Sequence, residues 1–181
     1  MKKLILLSII ILAVGCASTS ELEQKAFSKT IDGQFVPVSV LIDDGTNGSG
    51  NAVDYDARIY EHIQASNLFK HLGASPSSNV SIFAKYNSSS NGSAAGDTTK
   101  LLVSAATLFL VPTRVDWNYE LVVMVRVNDD SKEYRYHDRV KRSVSIADSN
   151  GGQETEIMKN LMNHFLTEIQ EDNFIPKVKS L

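Results

Sequence analysis

The side chains of this chain that could do chemistry are one cysteine, Cys16, and four histidines. The histidines stand apart, at His62, His71, His137 and His164. They lack the HExxH motif and the Cys/His spacing of a zinc site. No GxSxG motif provides a serine nucleophile. The loop Gly45–Gly50 lacks the Lys-Ser/Thr pair that completes a phosphate-binding loop. We therefore expect no metal site, no cofactor and no enzymatic activity.

Cys16 ends an N-terminal segment with the order of a secretory signal peptide. Two lysines precede the apolar core Leu4–Leu12, and the small residues of Ala13–Gly15 precede the cysteine. An apolar run of about a dozen residues is too short to span a bilayer, which needs ~20. We expect residues 1–15 to be removed, so that the mature chain begins at Cys16.

This segment resembles the lipobox of bacterial lipoproteins. The resemblance implies that the Cys16 sulfur is diacylated and that its new amino group is acylated, which consumes the only thiol of the chain. Two or more acyl chains give stable attachment to a membrane. Ala17 and Ser18 follow without an aspartate, as in lipoproteins sorted to the outer membrane. The resemblance therefore implies a lipid-anchored protein of the bacterial outer membrane that faces the periplasm.

The charge of the chain is acidic, with one local exception. Loss of the signal peptide changes the formal net charge from −3 to −5. This negative charge gives no indication of nucleic-acid binding and excludes a globally basic membrane-surface protein. Four basic side chains nevertheless alternate along one predicted strand, at Arg135, His137, Arg139 and Lys141. They predict a docking surface for an anionic partner: an acidic protein, lipid headgroups or a cell-wall polymer. The alternative is an exposed strand whose charges prevent pairing with other chains.

The elements that position these residues mix strand and helix patterns. Strands are predicted over Phe35–Ile42, Val80–Tyr86, Asp116–Val127 and Lys132–Ile146, with a further one near Phe27–Ile31. The third and fourth form a hairpin, and Val122 and Met124 predict that its outer side is covered as well. Helices are predicted from Asp54 to a glycine cap at Gly73 and over Glu154–Glu171. Together they indicate an α+β fold, a mostly antiparallel sheet with two main helices packed on one face. We expect a tether over residues 16–34 and a single domain over 35–175.

An apolar run, Leu101–Val111, has two interpretations. It is either a core element or a flap that contacts membrane or lipid, in which case Leu108, Phe109 and Leu110 are the contact residues. With Pro112 it contains a T-L-x-L-x-P segment, Thr107–Pro112, followed by the strand Tyr119–Val127. This arrangement resembles a group of small proteobacterial envelope lipoproteins with no settled function.

A looser similarity of element order links the chain to lipoproteins that activate cell-wall synthases and to the N-terminal domain of TolB. The prediction from the sequence is a non-enzymatic, membrane-anchored lipoprotein that binds an envelope protein through the basic residues. The alternative is binding or sensing of a lipid or other amphiphile through residues 101–111.

Overall fold

The computed structural model describes residues 19–43, 55–73, 79–90, 113–144 and 151–178, with side chains described for all but 113–115, 142–144 and 151–152. In chain order the elements are β1 (Thr19–Ser20), β2 (Val38–Asp43), α1 (Tyr55–Ala65), β3 (Leu72–Gly73), β4 (Val80–Ser90), β5 (Thr113–Val127), β6 (Asp130–Val144) and α2 (Gly151–Asp172). The predicted signal peptide, Cys16 and the apolar run Leu101–Val111 lie outside the described residues.

The strands form one sheet in the order β1-β6-β5-β4-β2-β3. β5 and β6 form the predicted hairpin, in which Asn128 adopts a left-handed backbone with φ of 55°, a conformation that asparagine tolerates better than most residues. β1 pairs antiparallel with β6, whereas β2 runs parallel to both β3 and β4. The prediction of an α+β fold with a mostly antiparallel sheet and two helices is confirmed.

The contacts of the chain divide it into two compact units. The first comprises Met1–Glu21, Ser89–Asn118 and Arg139–Ser149, and the second comprises Leu22–Ser88, Tyr119–Asp138 and Asn150–Leu181. In the first unit β1 pairs with the end of β6, where Thr19 lies opposite Lys141 and Ser20 opposite Val140. The second unit contains both helices and the core described next.

The core of the second unit lies between the helices and one face of the sheet. Alternate residues of β4 and β5 are buried there, as period two requires: Val80, Ile82, Ala84, Tyr86, Tyr119, Leu121, Val123 and Val125. From α2, Leu161, Phe165 and Ile169 are fully buried on one stripe of the helix. Tyr134 of β6 meets Phe165 edge-on, with ring centroids 5.5 Å apart. Each fully buried side chain of this size contributes about 1.5–3 kcal/mol, so the core holds the unit together.

The two helices contact each other through polar side chains. The Tyr55 hydroxyl donates to Glu154 at 2.5 Å, and Arg58 donates to the Thr155 hydroxyl at 2.9 Å. Burial, together with the bond to Glu154, raises the pKa of Tyr55 well above its ordinary value. The Tyr55 hydroxyl therefore stays protonated and keeps donating at every physiological pH.

α1 is shorter than the sequence predicts. It ends at Ala65, and Asn67 adopts a left-handed backbone with φ of 54°. The residue that ends a helix in this conformation is usually glycine and sometimes asparagine, and here it is Asn67, so the predicted cap at Gly73 is wrong. Leu68 is still fully buried, but as a residue beyond the helix, and Gly73 belongs to the short strand β3.

The segment Leu22–Thr30, here called the N-terminal strap, lies along α2 and forms no strand, so the strand predicted near Phe27–Ile31 is wrong. Its first N–H, that of Leu22, donates to Asp138 Oδ1 of β6 at 3.0 Å, and the backbone that follows is bonded by polar side chains of α2. The bonds are Lys25 N–H to Asn160 Oδ1 (2.8 Å), Asn160 Nδ2 to the Glu23 carbonyl (3.1 Å), Asn163 Nδ2 to the Lys25 carbonyl (2.6 Å), Thr30 N–H to Gln170 Oε1 (2.8 Å) and Gln170 Nε2 to the Ser28 carbonyl (3.2 Å). Amides spaced along one face of a helix thus replace the hydrogen-bond ladder of a sheet.

Candidate functional site: the exposed face of the sheet

The predicted basic residues alternate along β6 with side chains that are buried or half-buried. Tyr134, Asp138 and Val140 of the same strand are buried, and the alternating residues between them are exposed or half-buried. Arg135 and His137 belong to the second unit, and Arg139 and Lys141 belong to the first. The alternation inferred from the sequence therefore places all four side chains on the expected face of the strand.

Arg135 is held between two carboxylates of the same face. Its Nη1 lies 2.8 Å from Glu120 Oε1, and its Nη2 lies 2.9 Å from Glu133 Oε1. Hydrogen bonds to Glu133, and then to Glu120, raise the pKa of the guanidinium above its ordinary value. An incoming anion at Arg135 would meet two carboxylates that already occupy the donors.

Arg139, in the first unit, is paired in the same way. Its Nη2 lies 2.6 Å from Asp116 Oδ2, and hydrogen bonding to this carboxylate raises the pKa of Arg139. His137 and Lys141 are exposed, and no carboxylate among the described residues forms an ion pair with either. Two of the four basic side chains are therefore neutralised locally, which sequence spacing could not show because the partners lie on β5 and on β6 itself.

The second unit also exposes three large apolar side chains on this face of the sheet. Leu41 is 54% exposed, Phe83 42% and Met124 43%. Leu41 of β2 lies directly opposite Phe83 of β4. Met124 is exposed on the same outward face of β5, the strand next to β4, because its neighbours Val123 and Val125 are buried on the other face. The three side chains thus form one row across neighbouring strands, here called the apolar row.

The exposure of the apolar row corrects one expectation, and the row itself was not predicted from the sequence. Val122 and Met124 predicted a covered outer side of the hairpin, yet Val122 is half-buried and Met124 is largely exposed. One sequence signal for the row was available in β4, because Phe83 is an apolar residue at an outward-facing position whose neighbours on that face, Ser81 and Lys85, are polar. The row was not visible because its register depends on pairing between β2, β4 and β5, which are far apart in the chain.

The charges beside the apolar row balance one another. Lys85 Nζ lies 3.5 Å from Asp43 Oδ2 in the next cross-strand pair, and Arg126 lies 4.0 Å from Asp129 at the hairpin turn. With Arg135 also paired, the surroundings of the row in the second unit carry little net charge. The face presents exposed apolar side chains bordered by ion pairs, a composition typical of a protein-binding surface.

The described part of the chain contains neither a candidate metal cluster nor a helix that could span a membrane. Within it, no group of three or more histidine, cysteine or acidic side chains could hold a metal ion. None of its helices is long and apolar enough to cross a membrane. The predicted lipidation site Cys16 and the predicted contact residues Leu108, Phe109 and Leu110 lie outside the described residues.

Comparison with known proteins finds solved structures with a similar fold at low sequence identity. No family model and no curated protein matches the sequence. The fold is similar to that of the rare lipoprotein B from Shewanella oneidensis, at 9% identity over 75% of this chain and 92% of that one, with a TM-score of 0.40. It is also similar to a PelC dodecamer subunit from Paraburkholderia phytofirmans, at 9% identity over 81% and 96% of the two chains, with a TM-score of 0.40. The hypothetical protein CT253 from Chlamydia trachomatis is similar at 10% identity, over 77% and 93%, with a TM-score of 0.35. At these values the likeness carries no argument about function, which must come from the residues themselves.

Proposed function

We propose that this chain is a lipoprotein of the bacterial envelope, anchored through Cys16, that acts by binding a protein partner without a catalytic step. The observation that carries the binding half is the apolar row Leu41–Phe83–Met124, exposed on one face of the sheet and bordered by ion pairs. The anchoring half rests on the lipobox around Cys16.

A protein partner suits this surface better than an anionic polymer or lipid headgroups. Arg135 already donates to Glu120 and Glu133, so it offers an anion few free donors. Side chains such as Phe83 and Met124 instead gain free energy when another apolar surface covers them, at about 25 cal/mol for each Å² removed from water. Phenylalanine and methionine are also enriched in protein interfaces. The partner surface we expect is apolar at its centre and carries both signs of charge at its border.

The binding half is tested by photo-crosslinking the partner in intact cells and then changing the row. A photoreactive amino acid at Leu41 should give a discrete protein adduct, and Met124→Ser should reduce its yield at least fivefold, because a row neighbour has lost its apolar contact. Glu156→Gln is the control, since Glu156 is exposed on α2 and lies outside the row and its border of ion pairs. An adduct unaffected by Met124→Ser, or equally reduced by Glu156→Gln, would contradict binding at the apolar row.

The anchoring half has a separate test. Globomycin blocks the peptidase that cleaves lipoprotein precursors, and it should cause the uncleaved form of this chain to accumulate. If the chain matures normally in the presence of globomycin, the lipobox interpretation is wrong whatever the crosslinking shows.

A further inference from the structure

The chain becomes part of the folded structure very soon after Cys16. Thr19 and Ser20 pair with Lys141 and Val140, and the Glu21 amide then donates to the Arg139 carbonyl at 3.1 Å. Only Ala17 and Ser18 separate Thr19 from the cysteine. The residues expected to form a tether up to position 34 are therefore bonded from Thr19 onward, first to β6 and then to α2.

This pairing sets a short distance between the lipid anchor and the end of β6. Three residue steps from Cys16 to Thr19 span at most ~11 Å when fully extended. Neighbouring strands lie about 5 Å apart. The backbone at Lys141 consequently lies within roughly 16 Å of the Cys16 backbone.

The charges around this edge suit a phospholipid surface. The exposed Lys141 forms no ion pair with any carboxylate among the described residues, whereas Arg139 is held by Asp116. Hydrogen bonding to Asp116, with a smaller contribution from the charge of the exposed Glu21, raises the pKa of Arg139. Among the described side chains of the first unit, Lys141 is thus the cation left to meet lipid phosphates. Basic side chains beside an anchor strengthen contact with anionic lipid.

We propose, resting on the anchoring through Cys16 proposed above, that the β1–β6 edge in the first unit is a membrane-docking surface. It is held against the phospholipid headgroups by its two-residue connection to the anchor, with Lys141 contacting their phosphates. The first unit is then held at the membrane surface rather than carried on a long tether.

The test uses the acylated full chain in vesicles of phosphatidylethanolamine and phosphatidylglycerol (3:1) that contain a nitroxide-headgroup lipid. Because Cys16 is acylated, Lys141→Cys introduces the only free thiol, and a fluorophore attached there reports proximity to the headgroups. Insertion of twelve Gly/Ser residues between Ser18 and Thr19 adds roughly 20 Å of reach. Quenching should be strong with the native connection and at least twofold weaker after the insertion.

A second arm tests the charge. With the fluorophore moved to Glu21→Cys, Lys141→Glu should weaken quenching, and Lys177→Glu, an exposed lysine of the second unit, should leave it unchanged. Equal effects of the two reversals would contradict the role of Lys141.

The outcomes separate this inference from the proposed function. A chain that does not float with the vesicles contradicts the anchoring, and this inference fails with it. A chain that floats but is quenched equally with and without the insertion contradicts the docking alone.

Discussion

The hydrogen bonds between Asn160 and the N-terminal strap make a quantitative prediction about stability. The Asn160 side chain is 2% exposed, accepts from the Lys25 amide and donates to the Glu23 carbonyl. Each such bond contributes about 1 kcal/mol net. Asn160→Ala removes both, so the free energy of unfolding should fall by about 2 kcal/mol. For a chain of this size, this corresponds to a Tm lower by roughly 4–8 °C.

The assay is urea unfolding followed by circular dichroism, on the mature chain carrying Cys16→Ser so that it can be studied without lipid. Lys159→Ala is the matched control, because Lys159 is the preceding residue of α2 and forms only a surface ion pair with Glu156 at 2.8 Å. Its effect should stay within about 0.5 kcal/mol. Hydrogen exchange should also become faster in the strap of Asn160→Ala.

Two results would refute this reasoning. One is an Asn160→Ala protein as stable as Lys159→Ala, and the other is a loss of stability without faster exchange between Leu22 and Thr30. Either would mean that the strap does not depend on the side-chain amides of α2.

Three further predictions concern pH, packing and anchoring. The hydrogen bond from Lys132, and then the proximity of the Tyr134 hydroxyl, lower the pKa of Asp172. Its contribution to stability is therefore present above the ordinary carboxyl pKa of about 3.9 and lost as the pH falls through the lower folded value. Urea unfolding between pH 5 and 2 should show a steeper loss for the native chain than for Asp172→Asn. Ile82→Ala, at a fully buried site, should cost 2–5 kcal/mol in urea unfolding, whereas Phe83→Ser should cost less than about 1 kcal/mol. Cys16→Ser should release the chain from isolated membranes, as followed by fractionation.

The main elements of the fold could be predicted because their patterns are local. Strict alternation in Val80–Tyr86 and helical spacing in α2 each determine which side chains are buried. The end of α1 was missed because Asn67, an ordinary polar residue in the sequence, adopts the left-handed backbone usually assigned to glycine. The strap was missed because its hydrogen-bond partners lie about 140 positions away on α2, at Asn160, Asn163 and Gln170.

The candidate site was only partly predictable for a similar reason. The faces of β6 follow from alternation, so the positions of Arg135, His137, Arg139 and Lys141 were visible. The ion pairs that neutralise Arg135 and Arg139 could not be predicted, because their partners Glu120 and Asp116 lie on β5, across the hairpin from β6. The apolar row requires the register of three strands at once, and no local pattern contains that information.

The central claim, that a protein partner covers the apolar row, is tested most directly by site-specific photo-crosslinking in intact cells. The photoreactive amino acid is placed at Phe83, in the row, or at Glu156, exposed on α2. We expect a discrete protein adduct from Phe83 and none of that size from Glu156. The same adduct from both positions, or no adduct from Phe83, would contradict the account.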